Sequence, residues 1–277
     1  MHEPAKAKPA PKGDKTTSHA AFIIKRQDGP GLRSYLQEFS VPRVEGMNVI
    51  SALQWIRRNP KDATGKKVVP PVWDCNCLEE VCGACTMVIN GRARQSCSAL
   101  VSNLDEPIHL EPMTKFPVVR DLWVDRSFMF EQLKKVRAWV EVDGSYNLGP
   151  GPRMAESQAG ENYLYSKCMT CGCCMEACPQ VAPASPNPLE NDANLMGPFA
   201  IAQVKLFNNH PSGGMQAHER LDVLMEPGGI MDCGNAQNCV AVCPKEIPLT
   251  KAIADANWDM TKHWINQLIG NAPMRRG

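Results

Sequence analysis

Between Ser18 and Leu110 the apolar residues bunch or alternate in short runs, the period-2 pattern of strands, with one exception of helical spacing. Ala20–Lys25 and Ser34–Val41 flank the turn residues Asp28, Gly29, Pro30 and Gly31, which predicts a hairpin. Asn48–Arg58 places Val49, Ile50, Leu53 and Trp55 at roughly helical intervals and predicts a helix. Thr86–Ile89 and Arg92–Ser96 flank Asn90-Gly91, a dipeptide suited to the tight turn that follows strand twist. Pro107–Leu110 supplies a last strand. One helix embraced by a few strands is an α+β unit.

After Pro117 the period lengthens. Arg126–Trp139, Met196–Asn209, Gln216–Met225 and Leu249–Leu268 read as helices. Pro- and Gly-rich stretches divide them, at Gly144–Pro152, Pro183–Pro188 and Pro227–Gly229. The boundary between the two patterns is expected between Phe116 and Arg126. The expected organisation is therefore a first domain over residues 19–120 and a mainly helical one over 121–277, behind a disordered lead-in over 1–18.

That lead-in holds four Lys and three Pro but no Arg and no apolar run, so it resembles neither a secretory signal nor a mitochondrial presequence. No run of about 18 apolar residues occurs, and the chain is not expected to cross a membrane by itself. With 30 Lys and Arg against 29 Asp and Glu, the net charge of +1 excludes a nucleic-acid grip built on bulk positive charge. The 13 cysteines change the picture most. Thirteen is odd, and 277 residues can build a core without a disulfide scaffold, so the thiols are expected as ligands in a reducing compartment, the bacterial cytoplasm.

The cysteines form two groups. In the first, Cys77-x4-Cys82-x2-Cys85 is followed after eleven residues by Cys97, the spacing of a plant-type [2Fe–2S] site. A tight loop supplies three thiolates and the Thr86–Cys97 hairpin returns the fourth. Gly83 and Ala84 are small enough for the backbone to wrap closely and aim N–H groups at sulfur. Zinc is the competing reading, although its ligands usually come as two short Cys pairs.

The second group opens with Cys168-x2-Cys171-x2-Cys174-x3-Cys178-Pro179, the bacterial ferredoxin run, whose fourth cysteine serves the other cluster of a pair. The partner run is Cys233-x5-Cys239-x3-Cys243-Pro244, with Ala236 where the template has its second cysteine. By the crossing rule Cys168, Cys171, Cys174 and Cys243 hold a [4Fe–4S] cluster, and Cys178, Cys233 and Cys239 hold the other. Three thiolates fit a [3Fe–4S] cluster; a four-iron cluster capped by water is the alternative. Cys75 and Cys173 fall outside both templates and read as small buried hydrophobes, with Cys173 pointing away from the cluster.

With these motifs in view, the sequence resembles the iron–sulfur subunit of succinate dehydrogenase and fumarate reductase from about His19 onward. The resemblance rests on CLEEVCGACTMVINGRARQSC (Cys77–Cys97), CMTCGCCMEACP (Cys168–Pro179) and CGNAQNCVAVCPKEIP (Cys233–Pro248). It implies a β-grasp ferredoxin domain followed by a helical two-cluster domain. It further implies electron transfer from the FAD of a flavoprotein subunit through [2Fe–2S], [4Fe–4S] and [3Fe–4S] clusters to quinone. Some relatives carry Asp as the third ligand of the first loop; Cys85 makes this site fully thiolate.

Ubiquinone-linked members carry aromatic residues soon after the proline of the first run and a His after the first cysteine of the second. Here Gln180-Val181-Ala182 and Gly234 stand there, which resembles Gram-positive, menaquinone-linked members and leaves the quinone-binding residues unknown. No Gly-rich dinucleotide fingerprint is present, and Thr64-Gly65-Lys66-Lys67 lacks the rest of a phosphate loop. His109 and His263 read as packing or surface residues, not ligands. No substrate-catalytic residue is expected on this chain.

The resemblance also implies one or more integral membrane anchor subunits, cytochrome b among the candidates, and a peripheral position on the cytoplasmic side of the plasma membrane. Met196–Phe207 has an apolar face that serves either the core of the helical domain or the anchor, and Arg275-Arg276 could touch anionic lipid. Two other readings stay open, a fumarate reductase subunit working in reverse and a soluble ferredoxin-like carrier.

Overall fold

The computed structural model describes residues 18–141, 152–183 and 195–270. Nearly all of the lead-in and of the stretches Gly144–Pro152 and Pro183–Pro188, and Arg275-Arg276, lie outside the described residues. The chain divides into two units, one running to Met113 and adding Val118–Trp123, the other taking Thr114–Pro117 and the chain from Val124 onward.

The first unit is a five-stranded sheet with one helix. Its strands are β1 (His19–Arg26), β2 (Tyr35–Pro42), β3 (Thr86–Ile89), β4 (Arg92–Gln95) and β5 (Ile108–Glu111), in the order β2-β1-β5-β3-β4. Only β1 and β5 run parallel. The β1–β2 and β3–β4 hairpins fall where the turn residues placed them, and Asn90 and Gly91 both adopt positive φ, 48° and 76°. Helix α1 (Val49–Arg58) buries Val49, Ile50, Ala52, Leu53 and Ile56. Its N-cap Asn48 accepts from Ser51 N at 2.8 Å, a cap worth ~1 kcal/mol.

Alternation along β1 sends Ala20, Phe22 and Ile24 inward, and it sends Arg26 inward too, at 1% exposure. The Arg26 guanidinium donates to both carboxylate oxygens of Asp121, at 2.8 and 3.2 Å. Asp121 also accepts from Gln27 N and Val72 N, and Arg26 from its other side donates to Val69 O. The pair therefore pins the backbone that leads into the first cysteine loop. Removing either partner strands a buried charge, a change that costs ~3–5 kcal/mol.

The second unit is helical: α2 (Ser127–Lys135), α3 (Glu156–Ser166), α4 (Cys173–Glu176), α5 (Pro198–Asn209), α6 (Ala217–Leu224), α7 (Asn238–Val242) and α8 (Leu249–Leu268). Helix α2 is shorter than the spacing predicted, because Arg137 turns to φ 48° just beyond it. Helix α5 is the centre of the unit, packing against α3, α6 and α8 with Pro198–Ala202 and Val204 buried. The apolar face of Met196–Phe207 is thus spent inside the unit and is not a docking surface for an anchor. His263 on α8 is buried with Nε2 2.8 Å from Asp222 Oδ1, a packing role. Fully buried Arg220 donates to the carbonyls of Arg137, Trp139 and Gly213, fixing the chain after α2. Among the described residues, no helix is long and apolar enough to cross a membrane.

Candidate functional site

The first cysteine loop is a concave run of backbone with Leu78, Glu80 and Gly83 at φ 63°, 55° and 72°. Left-handed backbone turns successive N–H groups to one side, the geometry that receives anions. Here they meet sulfur. Cys77 Sγ accepts from Glu79 N, Val81 N and Cys82 N at 3.4, 3.3 and 3.3 Å. Cys82 Sγ accepts from Cys77 N and Ala84 N at 3.5 and 3.4 Å. The Glu79, Val81 and Cys82 amides lower the Cys77 thiol to about 7.

The β3–β4 hairpin brings the other pair together. Cys85 and Cys97 are buried side by side, and burial first, then the Cys97 thiol, pushes Cys85 up to about 12. Ser96 holds Cys85 O through both its N–H and its hydroxyl, at 3.2 and 2.8 Å. Asn48, the α1 cap, donates to Cys97 O at 2.9 Å. Thr86 Oγ1 donates to Gly83 O at 2.8 Å and receives Gln95 Nε2 at 2.6 Å. Buried Thr86, Gln95 and Ser96, with half-buried Asn48, position two thiols, and the sign of the first three in the sequence is that polar side chains stand beside cysteines at the ends of the hairpin.

In the second unit the cysteines line two pockets. One, of about 360 Å³, is walled by Cys168, Cys171, Cys174 and Cys243 with Met129, Phe199 and Lys245. The turn entering it has Thr170 and Gly172 at φ 51° and 88°. Burial pushes the Cys174 thiol well above the usual range, and the sulfurs of Cys171, Cys168 and Cys243 add to the rise. Burial likewise raises Cys168 to about 11, and raises Cys243.

The other pocket, of about 350 Å³, is lined by Cys178, Cys233 and Cys239. Burial raises Cys239 to about 11, with Cys178 and Cys233 adding to the rise. Ala236 stands on its wall, between Asn235 and Gln237 at φ 51° and 62°. Cys243 of the last run thus shares a pocket with Cys168, Cys171 and Cys174 of the first, and Cys178 of the first with two of the last.

Three residues differ from expectation or from ordinary usage. Cys173 is buried, at 0% exposure, but does not point away: it lines the four-cysteine pocket and its thiol hydrogen-bonds Cys171. That bond is the largest cause lowering Cys171 to about 7. Cys75 is half-buried against the core of the first unit. At Gly234 a Cβ would lie 2.5 Å from Gln180 Nε2, so the glycine makes room for an amide over the three-cysteine pocket.

The donor sets are thiols alone, the ligands that iron–sulfur clusters take.

Comparison with known proteins agrees. Residues 21–131 match the family described as a 2Fe-2S iron-sulfur cluster binding domain, and residues 164–247 the one described as a 4Fe-4S dicluster domain. The succinate dehydrogenase iron-sulfur subunit of Bacillus subtilis is 54% identical over 250 residues, 90% of this chain and 96% of the relative. The fumarate reductase iron-sulfur subunit of Mycobacterium tuberculosis is 29% identical, over 84% of this chain and 89% of its own. A chain of the Mycobacterium smegmatis Sdh1 complex in the apo form shares the fold, with a TM-score of 0.73 at 24% identity, covering 89% of this chain and 97% of that one. An N-terminal β-grasp sheet domain, a helical two-cluster domain and a near full-length relative at this identity place the chain in the family of succinate dehydrogenase iron–sulfur subunits.

Proposed function

We propose that this chain conducts electrons singly between the FAD of a flavoprotein subunit and a membrane quinone, with the ligands divided by pocket. Cys77, Cys82, Cys85 and Cys97 would hold a [2Fe–2S] cluster. Cys168, Cys171, Cys174 and Cys243 would hold a [4Fe–4S] cluster, and Cys178, Cys233 and Cys239 a [3Fe–4S] cluster. Such clusters supply one-electron chemistry, which splits the two-electron exchange of a flavin.

What the chain's own residues do follows from the geometry. The amides of Glu79, Val81, Cys82 and Ala84 donate to ligand sulfur, which offsets the negative charge gathered there. Ala236 offers no donor atom, which favours a three-iron occupant over a capped four-iron one. The observation that carries the placement of the quinone end is exposure. The wall of the three-cysteine pocket, Gly234–Asn238, faces solvent, whereas Gly172–Cys174 and Phe199 of the other pocket are buried. A group behind an exposed wall is the one from which an external acceptor can draw electrons.

The acceptor is proposed to be menaquinone, delivered by a membrane anchor that holds the chain on the cytoplasmic face. Gln180 and Gly234 form the part of the wall where ubiquinone-linked relatives differ. The test is to purify the chain with whatever accompanies it from membranes and to supply succinate and a menaquinone analogue. Succinate-dependent reduction of the analogue by a particle containing FAD is the expected result. Recovery as a soluble iron-containing monomer would favour a free carrier, and zinc in place of iron a structural role.

A further inference from the structure

Arg126 lies outside every cysteine run, at the start of α2, yet it reaches the four-cysteine pocket. Its Nη1 donates to Thr170 O at 3.2 Å. Thr170 stands between Cys168 and Cys171 in the left-handed conformation, φ 51°, and its carbonyl needs an external donor to keep that turn in place. Met129, one turn along the same helix, lines the pocket itself. The neighbouring carboxylate of Asp125 is occupied by Ser127 N and Oγ, at 2.8 and 2.7 Å, at the helix start.

The guanidinium of Arg126 also sets a positive charge beside the Cys168–Cys171 turn. Lys245, on the arm that carries Cys243, adds a second positive charge to the same pocket. Among the described residues no charged side chain lines the three-cysteine pocket, whose polar lining is instead Gln180, Asn235, Gln237, Asn238 and Thr250. Reduction adds an electron to a group that is already negative with its thiolates. A fixed cation nearby, partly shielded from water, stabilises the reduced form more than the oxidised one.

We propose that Arg126 is a positioning residue for the four-cysteine site, holding the Thr170 turn and lending a positive charge that raises the reduction potential of the cluster bound there. The inference rests on the assignment of Cys168, Cys171, Cys174 and Cys243 to one four-iron cluster. The test is EPR-monitored redox titration of Arg126→Gln and Arg126→Lys in the complex purified from membranes, with the other two clusters as internal references.

The Gln variant keeps an N–H donor without the charge. It is expected to lower the reduction equilibrium constant of the four-iron cluster about tenfold, ~59 mV for one electron. The Lys variant is expected to stay near wild type. An unmoved potential in the Gln variant, or an equal fall in both, overturns the proposal. If the Gln variant loses the cluster, the Lys variant decides: a native potential upholds the role of charge, and loss or displacement of the signal leaves only a structural role and overturns it. Absence of any four-iron signal from the wild-type complex would instead sink the ligand assignment itself, a failure distinct from an intact cluster indifferent to Arg126.

Discussion

The two pockets of the helical unit are built from the same kind of cysteine run ending in Cys-Pro, yet they differ in three respects. One has four proposed ligand thiols, buried wall residues and a lysine; the other has three, an exposed wall and, among the described residues, only uncharged polar neighbours. A single residue, Ala236, accounts for the difference in the number of proposed ligand thiols. The difference in burial lies in the walls: buried Phe199 and Leu249 close the first pocket, whereas the exposed stretch Gly234–Asn238 closes the second. Ligand count selects what a site can hold, and burial selects who can reach it. Under the proposed assignment, the two together turn a pair of similar motifs into an interior relay and an exit.

The largest effect should come from erasing the difference in ligands. Ala236→Cys restores the template and is expected to add about one iron per chain and abolish the EPR signal of the oxidised terminal cluster. An unchanged signal in the variant would mean that Ala236 is not what limits the site.

Next in size is a test of the crossing. Cys243→Ala is expected to remove the four-iron signal although Cys243 belongs to the last run, and Cys178→Ala to remove the three-iron signal although it belongs to the first. Each variant silencing the cluster of its own run would contradict the division by pocket.

A smaller effect separates thiols within the iron-free chain. Burial raises Cys168 and Cys239 to about 11, whereas Cys171 and Cys77 are lowered to about 7 by the Cys173 hydrogen bond and by backbone amides respectively. The sign for stability follows. The raised thiols stabilise the iron-free fold below the ordinary thiol value of 9.0, and that contribution is lost as pH rises from there through about 11. The lowered thiols contribute fully above 9.0 and lose their contribution as pH falls through about 7. Alkylation mapped by mass spectrometry at pH 8, on iron-free chain that keeps its circular dichroism, should label Cys77 and Cys171 well before Cys168 and Cys239. Uniform labelling would remove the contrast.

Much of this was legible in the sequence because turn chemistry and ligand spacing are local. Asn90-Gly91 marked the second hairpin, and the bounds of α8, Leu249–Leu268, are those its apolar spacing predicted. The two cysteine runs pointed to the family. What was not legible is held by tertiary contacts. Leu78, Glu80 and Thr170 take positive φ although their side chains disfavour it, because sulfur and carbonyl partners compensate. Arg26 follows the inward alternation of β1 only because Asp121, 95 residues away, neutralises it. Helix α3 was not singled out: it buries only Asn162 and Tyr165, too few residues for an apolar period. Cys173 lines the pocket although it stands outside the ligand template, which the spacing of the run did not signal.

The most direct test is iron and sulfide analysis with low-temperature EPR on the chain purified with its membrane partners. The account predicts about nine irons per chain and a near-isotropic signal in the oxidised state that mild reduction removes. It also predicts that a [2Fe–2S] signal emerges on further reduction. About ten irons with a silent oxidised state would contradict it, because the pocket beside Ala236 would then hold a four-iron cluster despite its missing thiol.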